Sequence, residues 1–563
     1  MCPLSRYRAG SLLSPIAGAV LAAAAAGQER LEPPAPPPGV QEWRVGRVRL
    51  ETGDVFSEAE AAANLLYRAA NMLHVRTREE VIAREAAALL AEGDPYRPAA
   101  AAELERNLRR IGFLAEATVE PRFLPDGTVD LLVHTRDRFT LRAGVGGSSF
   151  AGQARSRASL GEENLFGRGK EASIVYARTP DVTGAELRYV DPQLLGTRHR
   201  LEAAFSHTDE GTSGEVSLLR PFDTLATPWS YGVRAGHLED EAEFFEAGED
   251  VAKVPRKVDV QDAFLTRGFG PREKRRLFGV RLLHERTDFG TPEGPAGPSL
   301  RVPGDLDSWR FGPTAAWQDY PRFLARTYLD SLGFVEDVPT GTFLETWPGV
   351  RYRSEERSGA RLEAAADADF RWVDEPWPEG ISVLRLSASG RYGEGEGRAW
   401  GAGAFLHLYE TRLPLQTLAA NLAADFIWEG GDLPEELRLG EESGLRGYKA
   451  RALTGTKRVH LNVEDRLALP LEVLTVRAGL VAFFDAGEVW DRGEPFEWSE
   501  AKRSVGIGLR LGSLPFLGRR VVRIDVAFPL DEVAGTTRRM TVTFASGQVF
   551  TLFENPEGLS KEF

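Results

Sequence analysis

From Asp137 almost to its end the chain alternates apolar and polar side chains with period two. Leu362, Ala364, Ala366, Ala368, Phe370 and Trp372 share one face, and Arg361, Glu363, Asp367, Asp369 and Arg371 the other. Val505, Ile507, Leu509 and Leu511 oppose Gly506, Gly508, Arg510 and Gly512, and Val522, Ile524, Val526 and Phe528 oppose Arg523 and Asp525. A soluble sandwich alternates too. Here the polar faces are charged over segments of about ten residues, which suits a water-filled lumen. No segment is long and apolar enough for a membrane-spanning helix, which needs about 20 residues. If the chain crosses a membrane it crosses with strands, and strands in lipid must close into a barrel. Roughly 410 residues at about 10 per strand, with turns and long outer loops, allow fourteen to eighteen strands.

The first residues read as a secretory signal over 1–26. Arg6 and Arg8 give a basic start, Leu12 to Leu21 an apolar stretch, and Ala22 to Ala26 a small-residue cleavage region. Cys2, the only cysteine, falls in that segment, so the mature chain is expected to have neither disulfides nor thiolate-bound metal. The 83 acidic residues outnumber 69 Lys and Arg, for a formal charge of −14, which argues against a nucleic-acid partner. A proline-rich linker, Glu32 to Gly39 within 27–42, has stiff polyproline character.

Residues 43–136 read as a small α/β domain. Val45, Val48 and Leu50 begin a strand, and Ser57 caps a helix running towards Leu73. Thr77 and Glu80 have capping-box spacing for a second helix through Val81, Ala87 and Leu90. A third helix spans Ala99 to Ile111. Two strands, Ala117 to Leu124 and Val129 to Thr135, join through the turn Pro125-Asp126-Gly127.

Two motifs stand out in the last third of the chain. Leu445-Arg446-Gly447-Tyr448 is an arginine in a Gly-flanked turn, and Phe483-Phe484-Asp485-Ala486-Gly487 lies in an alternating strand. Asp485 is on the face opposite Leu480, Ala482 and Phe484. A carboxylate in a confined lumen needs a partner, and Arg446 offers a two-pronged donor. Asp485 is the favoured partner and Glu464 the reserve.

Together these motifs resemble the signatures of the outer-membrane assembly and transport superfamily: BamA/TamA-like proteins, the bacterial surface antigen family and the two-partner-secretion transporters. In that family the arginine tips a loop folded into the lumen and the aspartate faces it from the wall. Glu162-Glu163-Asn164-Leu165-Phe166-Gly167-Arg168-Gly169 resembles a tight periplasmic turn of the family, with Gly167 and Gly169 supplying positive φ. Residues 43–136 resemble a polypeptide-transport-associated (POTRA) domain, with Thr77 to Leu90 as an insertion or preface. Met540 to Phe550, with Phe544, Gly547 and the terminal aromatic Phe550, resembles the closing strand and its recognition signal. Residues 551–563 form a tail beyond it.

The resemblance implies a mainly β protein: a transmembrane antiparallel barrel of about 16 strands over 137–550, preceded by one POTRA-like domain in the periplasm. It implies partners in outer-membrane lipid and in unfolded or β-rich clients, and leaves room for a periplasmic or inner-membrane partner. The implied activity is insertion or translocation of proteins without cofactor or metal. Gly144, Gly146 and Gly147 thin the first strand where it meets Gly547 of the last, so the seam should be the weakest pairing. A two-partner-secretion pore is the alternative reading and a passive porin-like barrel a third. No HExxH or GxSxG pattern points to an enzyme. The acidic run Leu238 to Asp250 lacks EF-hand spacing and reads as a solvated loop.

Overall fold

The computed structural model describes residues 33–554, apart from 151–152, 179–181, 226, 247–248, 272, 300–301, 358, 394–397, 430–435, 518–519 and 534–539. The signal segment and the last nine residues lie outside the described residues.

The N-terminal domain is a three-stranded sheet, order β1–β3–β2, covered by helices. It runs β1 (Arg44–Gly53), α1 (Glu58–Ala63), α2 (Leu65–Leu73), α3 (Glu79–Ala87), α4 (Pro98–Arg110), β2 (Leu114–Phe123) and β3 (Thr128–Asp137). β1 pairs parallel with β3, and β2 and β3 form a hairpin turned at Gly127, whose φ is 86°. Val81, Ile82, Ala86 and Leu90 of the α3 region and Leu104 and Leu108 of α4 pack on Val129, Leu131 and Val133 to make the core.

Two local expectations need correcting. Thr77 to Leu90 is no insertion, because α3 supplies the core. The stretch that contributes nothing to that core is α1–α2, one expected helix broken at Asn64, whose side chain accepts from the Leu66 N–H. The capping box is likewise at Ser57 and Glu60. Thr77 instead gives its hydroxyl to Asp137 at 2.7 Å, leaving α3 without a side-chain cap.

The barrel wall opens with short strands: β4 (Leu141–Phe150), β5 (Gln153–Glu162), β6 (Glu171–Arg178), β7 (Thr183–Asp191), β8 (Arg200–Thr208) and β9 (Thr212–Arg220). Taller ones follow: β10 (Trp229–Glu246), β11 (Glu249–Phe269), β12 (Lys274–Phe289), β13 (Leu306–Thr327), β14 (Val335–Glu355) and β15 (Gly359–Asp374). The wall continues through β16 (Gly380–Gly393), β17 (Arg398–Glu410) and β18 (Gln416–Glu429). After a small hairpin, β19 (Leu437–Leu439) and β20 (Leu453–Gly455), come β21 (Lys457–Val473), β22 (Val476–Trp490) and β23 (Lys502–Gly512). A short helix, α5 (Leu514–Leu517), precedes β24 (Val521–Pro529) and β25 (Thr541–Ser546).

All of these except β19 and β20 close into one antiparallel barrel, with β25 next to β4. Among the described residues that makes twenty strands rather than sixteen. The residues expected in long outer loops form additional strands joined by short turns. The acidic run shows the same effect: Leu238 to Glu246 is the far part of β10, and Lys253 on β11 pairs with Glu241 and Glu243.

Side-chain parity follows the alternation. Leu362, Ile507 and Phe528 are exposed on the outer face and Phe370, Leu509 and Ile524 partly so, as lipid contact requires. Glu363, Asp369, Arg371, Arg510 and Asp525 are buried inside. The N-terminal domain docks on one mouth of the barrel. There Glu103 of α4 accepts from the Leu225 N–H at 2.7 Å, and Asp137 bridges His74 (2.9 Å) and Thr77. Asn164 donates to the Thr77 hydroxyl at 2.8 Å, so the 162–169 turn is a docking point. Gly167 and Gly169 there have φ of 71° and 67°.

Candidate functional site

The connection from β18 to β21 folds into the lumen instead of standing outside it. Its β19–β20 hairpin crosses to β10, where Arg451 pairs with Glu243 at 3.1 Å and Arg438 donates to the Glu243 carbonyl. Leu439, Leu445, Tyr448 and Ala452 form the loop's own apolar cluster. Gly444 and Gly447, with φ of 104° and 93°, set the turn that aims Arg446 at the wall. The Tyr448 hydroxyl donates to the Arg503 carbonyl at 2.7 Å and anchors the far side of that turn.

Arg446 is buried and fully engaged. Nε and Nη2 donate to the two Asp485 carboxylate oxygens at 2.7 and 2.8 Å, the two-pronged geometry that makes such pairs strong. Nη1 donates to Glu464 at 2.7 Å, so the favoured and the reserve partner both bind it. The Phe483 ring lies beneath the guanidinium, 3.5 Å from its carbon to the ring centroid. Gly487 leaves room for Leu439: a Cβ there would stand 2.6 Å from that side chain.

Several members of the site were not singled out from sequence. Asn462 donates to Asp485 at 2.7 Å and to the Gly444 carbonyl at 2.5 Å, tying wall to loop. Asp525 lies 3.7 Å from Arg446 and is held by Arg510 (2.5 Å) and Arg523 (2.9 Å). Gly506 and Gly508 on β23 make the space for Phe483 and for the Arg510–Asp525 pair. A Cβ on either would fall 2.2 Å from the Phe483 ring or 2.1 Å from Asp525. Inward parity next to glycine was the available signal. Which inward charges meet depends on strand register, and one sequence does not give that.

At the seam, β25 pairs with β4 at three positions: Val542 with Ser149, Thr543 with Ser148 and Phe544 with Gly147. Among the described residues, Leu141 to Gly146 pair with β5 alone, and Val145 is 78% exposed. The expected closing strand to Phe550 stops at Ser546. At Gly547 (φ 90°) the chain leaves the wall and turns inward. Phe550 and Leu552 are buried among Leu329, Val338, Phe405 and Tyr409. Phe550 thus ends no strand. Burying its ring in the lumen replaces the pairs that a straight strand would have made with Leu141 to Gly146.

The inward segment and the loop share one charge network. Arg466 donates to Glu464 at 2.8 Å, to the Phe550 carbonyl at 3.1 Å and to Asp330 at 3.2 Å. Arg510, the partner of Asp525, donates to Gln548 at 2.9 Å. The Leu552 N–H donates to Asp330 at 2.7 Å. Thr543 of β25 donates directly to Glu441 of the loop. Two residues, Glu464 and Arg466, therefore link Arg446 to the segment that leaves the seam. Among the described residues, no group of His, Cys, Asp and Glu could hold a metal ion.

Residues 431–550, which contain the loop, β21 to β25 and the first residues of the inward segment, match the Omp85 superfamily domain. The match covers this part of the chain alone and takes in both Arg446 and Asp485. No curated protein matches the sequence. One similar solved structure is BamA from Haemophilus ducreyi lacking POTRA domains 1-3: 14% identity, 89% of this chain and 84% of that one, TM-score 0.40. Another is CdiB from Escherichia coli, at 11% identity over 89% and 76% of the chains with a TM-score of 0.46. CdiB from Acinetobacter baumannii is 12% identical over 90% and 74%, with a TM-score of 0.41.

Proposed function

We propose that this chain assists insertion of β-rich proteins into the outer membrane by strand exchange at the β25–β4 seam. The N-terminal domain, read as POTRA-like, would lie in the periplasm and receive unfolded clients by adding a strand at its sheet edge. The observation that carries the reading is the three-pair register, which leaves the domain-side half of β4 with a free edge. A free edge recruits strands, and Leu141 to Gly146 would be the template for the first client strand. The Arg446 network holds the loop and the inward segment on the lumen side, so that the wall opens towards lipid without collapsing.

A disulfide across the seam tests this. Thr543 and Ser148 are register partners, and facing residues on antiparallel strands lie about 4.5–5.5 Å apart at Cα, within reach of a disulfide. With Thr543→Cys and Ser148→Cys oxidised in full, insertion of a β-barrel client into proteoliposomes should stop and return on reduction. Undiminished insertion by the locked protein would refute lateral exchange. A locked protein that still exports a secreted partner through the lumen would instead identify the two-partner-secretion pore.

A further inference from the structure

Helix α2 is an amphipathic helix turned inside out. On α2 the helical spacing puts Leu65, Leu66, Ala69, Met72 and Leu73 on one stripe. In a docked helix that stripe would be buried. Here Leu65 is 75% exposed, Met72 80% and Leu73 70%. The opposite face is the docked one. Tyr67 stacks on Phe56 with ring centroids 4.0 Å apart, Ala70 is buried beside them, and Asn71 holds the Phe56 backbone at 2.8 and 3.0 Å. A water-exposed apolar stripe of this size, on a helix with specific contacts on its other side, calls for a covering surface.

Its position in the fold says which. The docked face packs against Phe139, just before β4, and Phe516 in the turn before β24, so α2 sits under the domain-side end of the seam. Two neighbouring turns at that end carry large apolar residues outward. Phe166, between β5 and β6, is 65% exposed, and Leu195, between β7 and β8, is 90% exposed, both at positive φ. Exposed Arg168 and Arg520 stand beside them in sequence or in the adjoining turn. Apolar and aromatic residues mixed with arginines at the end of a lipid-facing wall mark the membrane–water boundary. We propose that α2 is an interfacial foot. The Leu65–Leu73 stripe lies in the headgroup region of the leaflet on the domain's side and fixes the N-terminal domain beneath the open half of the seam. The inference requires the barrel to span a bilayer, and does not depend on what it transports.

The test uses the full chain in lipid nanodiscs with Cys2→Ser, so that one introduced cysteine carries a fluorescent probe. Probes at Leu65→Cys and Met72→Cys, both exposed, leave the core intact. Ile507→Cys on the outer wall serves as the lipid reference and Glu58→Cys on α1 as the aqueous one. Nitroxide lipids labelled near the headgroup should quench the α2 probes at least about twofold more than deep-labelled lipids, and iodide should quench them less than the Glu58 probe. If lipid quenches Ile507 but not α2, and iodide reaches α2 freely, the helix faces water and the proposal is overturned. Shielding of α2 from both quenchers would mean a protein cover, a second copy or a client chain, and would overturn it equally. Lipid quenching at neither α2 nor Ile507 would remove the membrane reading and the foot together.

Discussion

β13 and β14 stand ten strands from the seam in either direction, and they pair over three stretches of six, five and six residues. Among the described residues β25 and β4 pair over three. The far wall is also braced across its inner face: the Arg310 guanidinium lies 3.6 Å over the Trp347 ring and pairs with Asp367 at 2.6 Å. On the inner face of β4, Gly144 and Gly146 offer no side chain where such braces would stand. At about 0.2–1 kcal/mol per facing pair, three pairs hold the seam by at most about 3 kcal/mol, whereas the opposite wall is held several times more strongly. One closed sheet can therefore combine a rigid back with a front that parts, provided the chain end released at Gly547 has somewhere else to be buried.

The substitution expected to disturb this division most is Arg446→Ala. It leaves Asp485 and Glu464 buried without their shared cation, at a cost of about 3–5 kcal/mol. The barrel should still assemble, since its strands are paired independently of the loop. Limited proteolysis should cut within 436–456 in the variant and not in the parent, and client insertion should fall. Arg446→Lys keeps the charge but loses the fork to Asp485, and should recover only part of the protection.

Next in size is Arg466→Met, which removes the donor shared by Glu464, Asp330 and the Phe550 carbonyl. Loss of these charge-assisted bonds should cost about 1.5–3 kcal/mol. Hydrogen exchange at Gln548 to Leu552 should accelerate while β13 and β14 stay protected. Equal acceleration in both regions would mean that the inward segment supports the whole barrel and not the seam alone.

Gly547→Ala acts on the seam from the other side. A Cβ there meets nothing within 4 Å, so the cost lies in the backbone, about 1–2 kcal/mol for a non-glycine residue at positive φ. The variant should straighten β25 along β4, slow exchange at Leu141 to Gly146, and lower insertion activity.

The smallest effect is expected at Ser57→Ala, which removes the cap of α1 for about 1 kcal/mol. Exchange should rise in Glu58 to Ala63 alone. The Ser57 hydroxyl and N–H hold the Glu60 carboxyl below its ordinary value. A lowered value means that the cap's contribution is present above the unfolded carboxylate range and is lost as pH falls through the folded one. Acid should therefore loosen α1 in the parent and do so less in the variant, where only the backbone N–H of residue 57 still holds Glu60.

The parity of the wall was legible in the sequence because period-two alternation is a local property. So was the Arg446–Asp485 pair, from one turn and one inward carboxylate. The strand number was not, because alternation does not tell a long outer loop from two more strands and a short turn. The turn at Gly547 was hidden for a different reason. Met540 to Phe550 reads as one strand, and only the lumen contacts of Phe550 and Leu552 favour the bend. The α2 stripe has the spacing of a buried helix face, and spacing alone does not tell a face buried in a core from one left exposed. Asp525 and Arg510 join the site through strand register, which depends on the closure of the whole sheet.

Hydrogen exchange of the full chain in nanodiscs shows whether the seam opens independently of the rest of the barrel. Amides of β4 from Leu141 to Gly146 should exchange at least about a hundredfold faster than those of β14 from Thr342 to Val350, with β25 between them in rate. Equal protection at the two places would contradict a seam built to part.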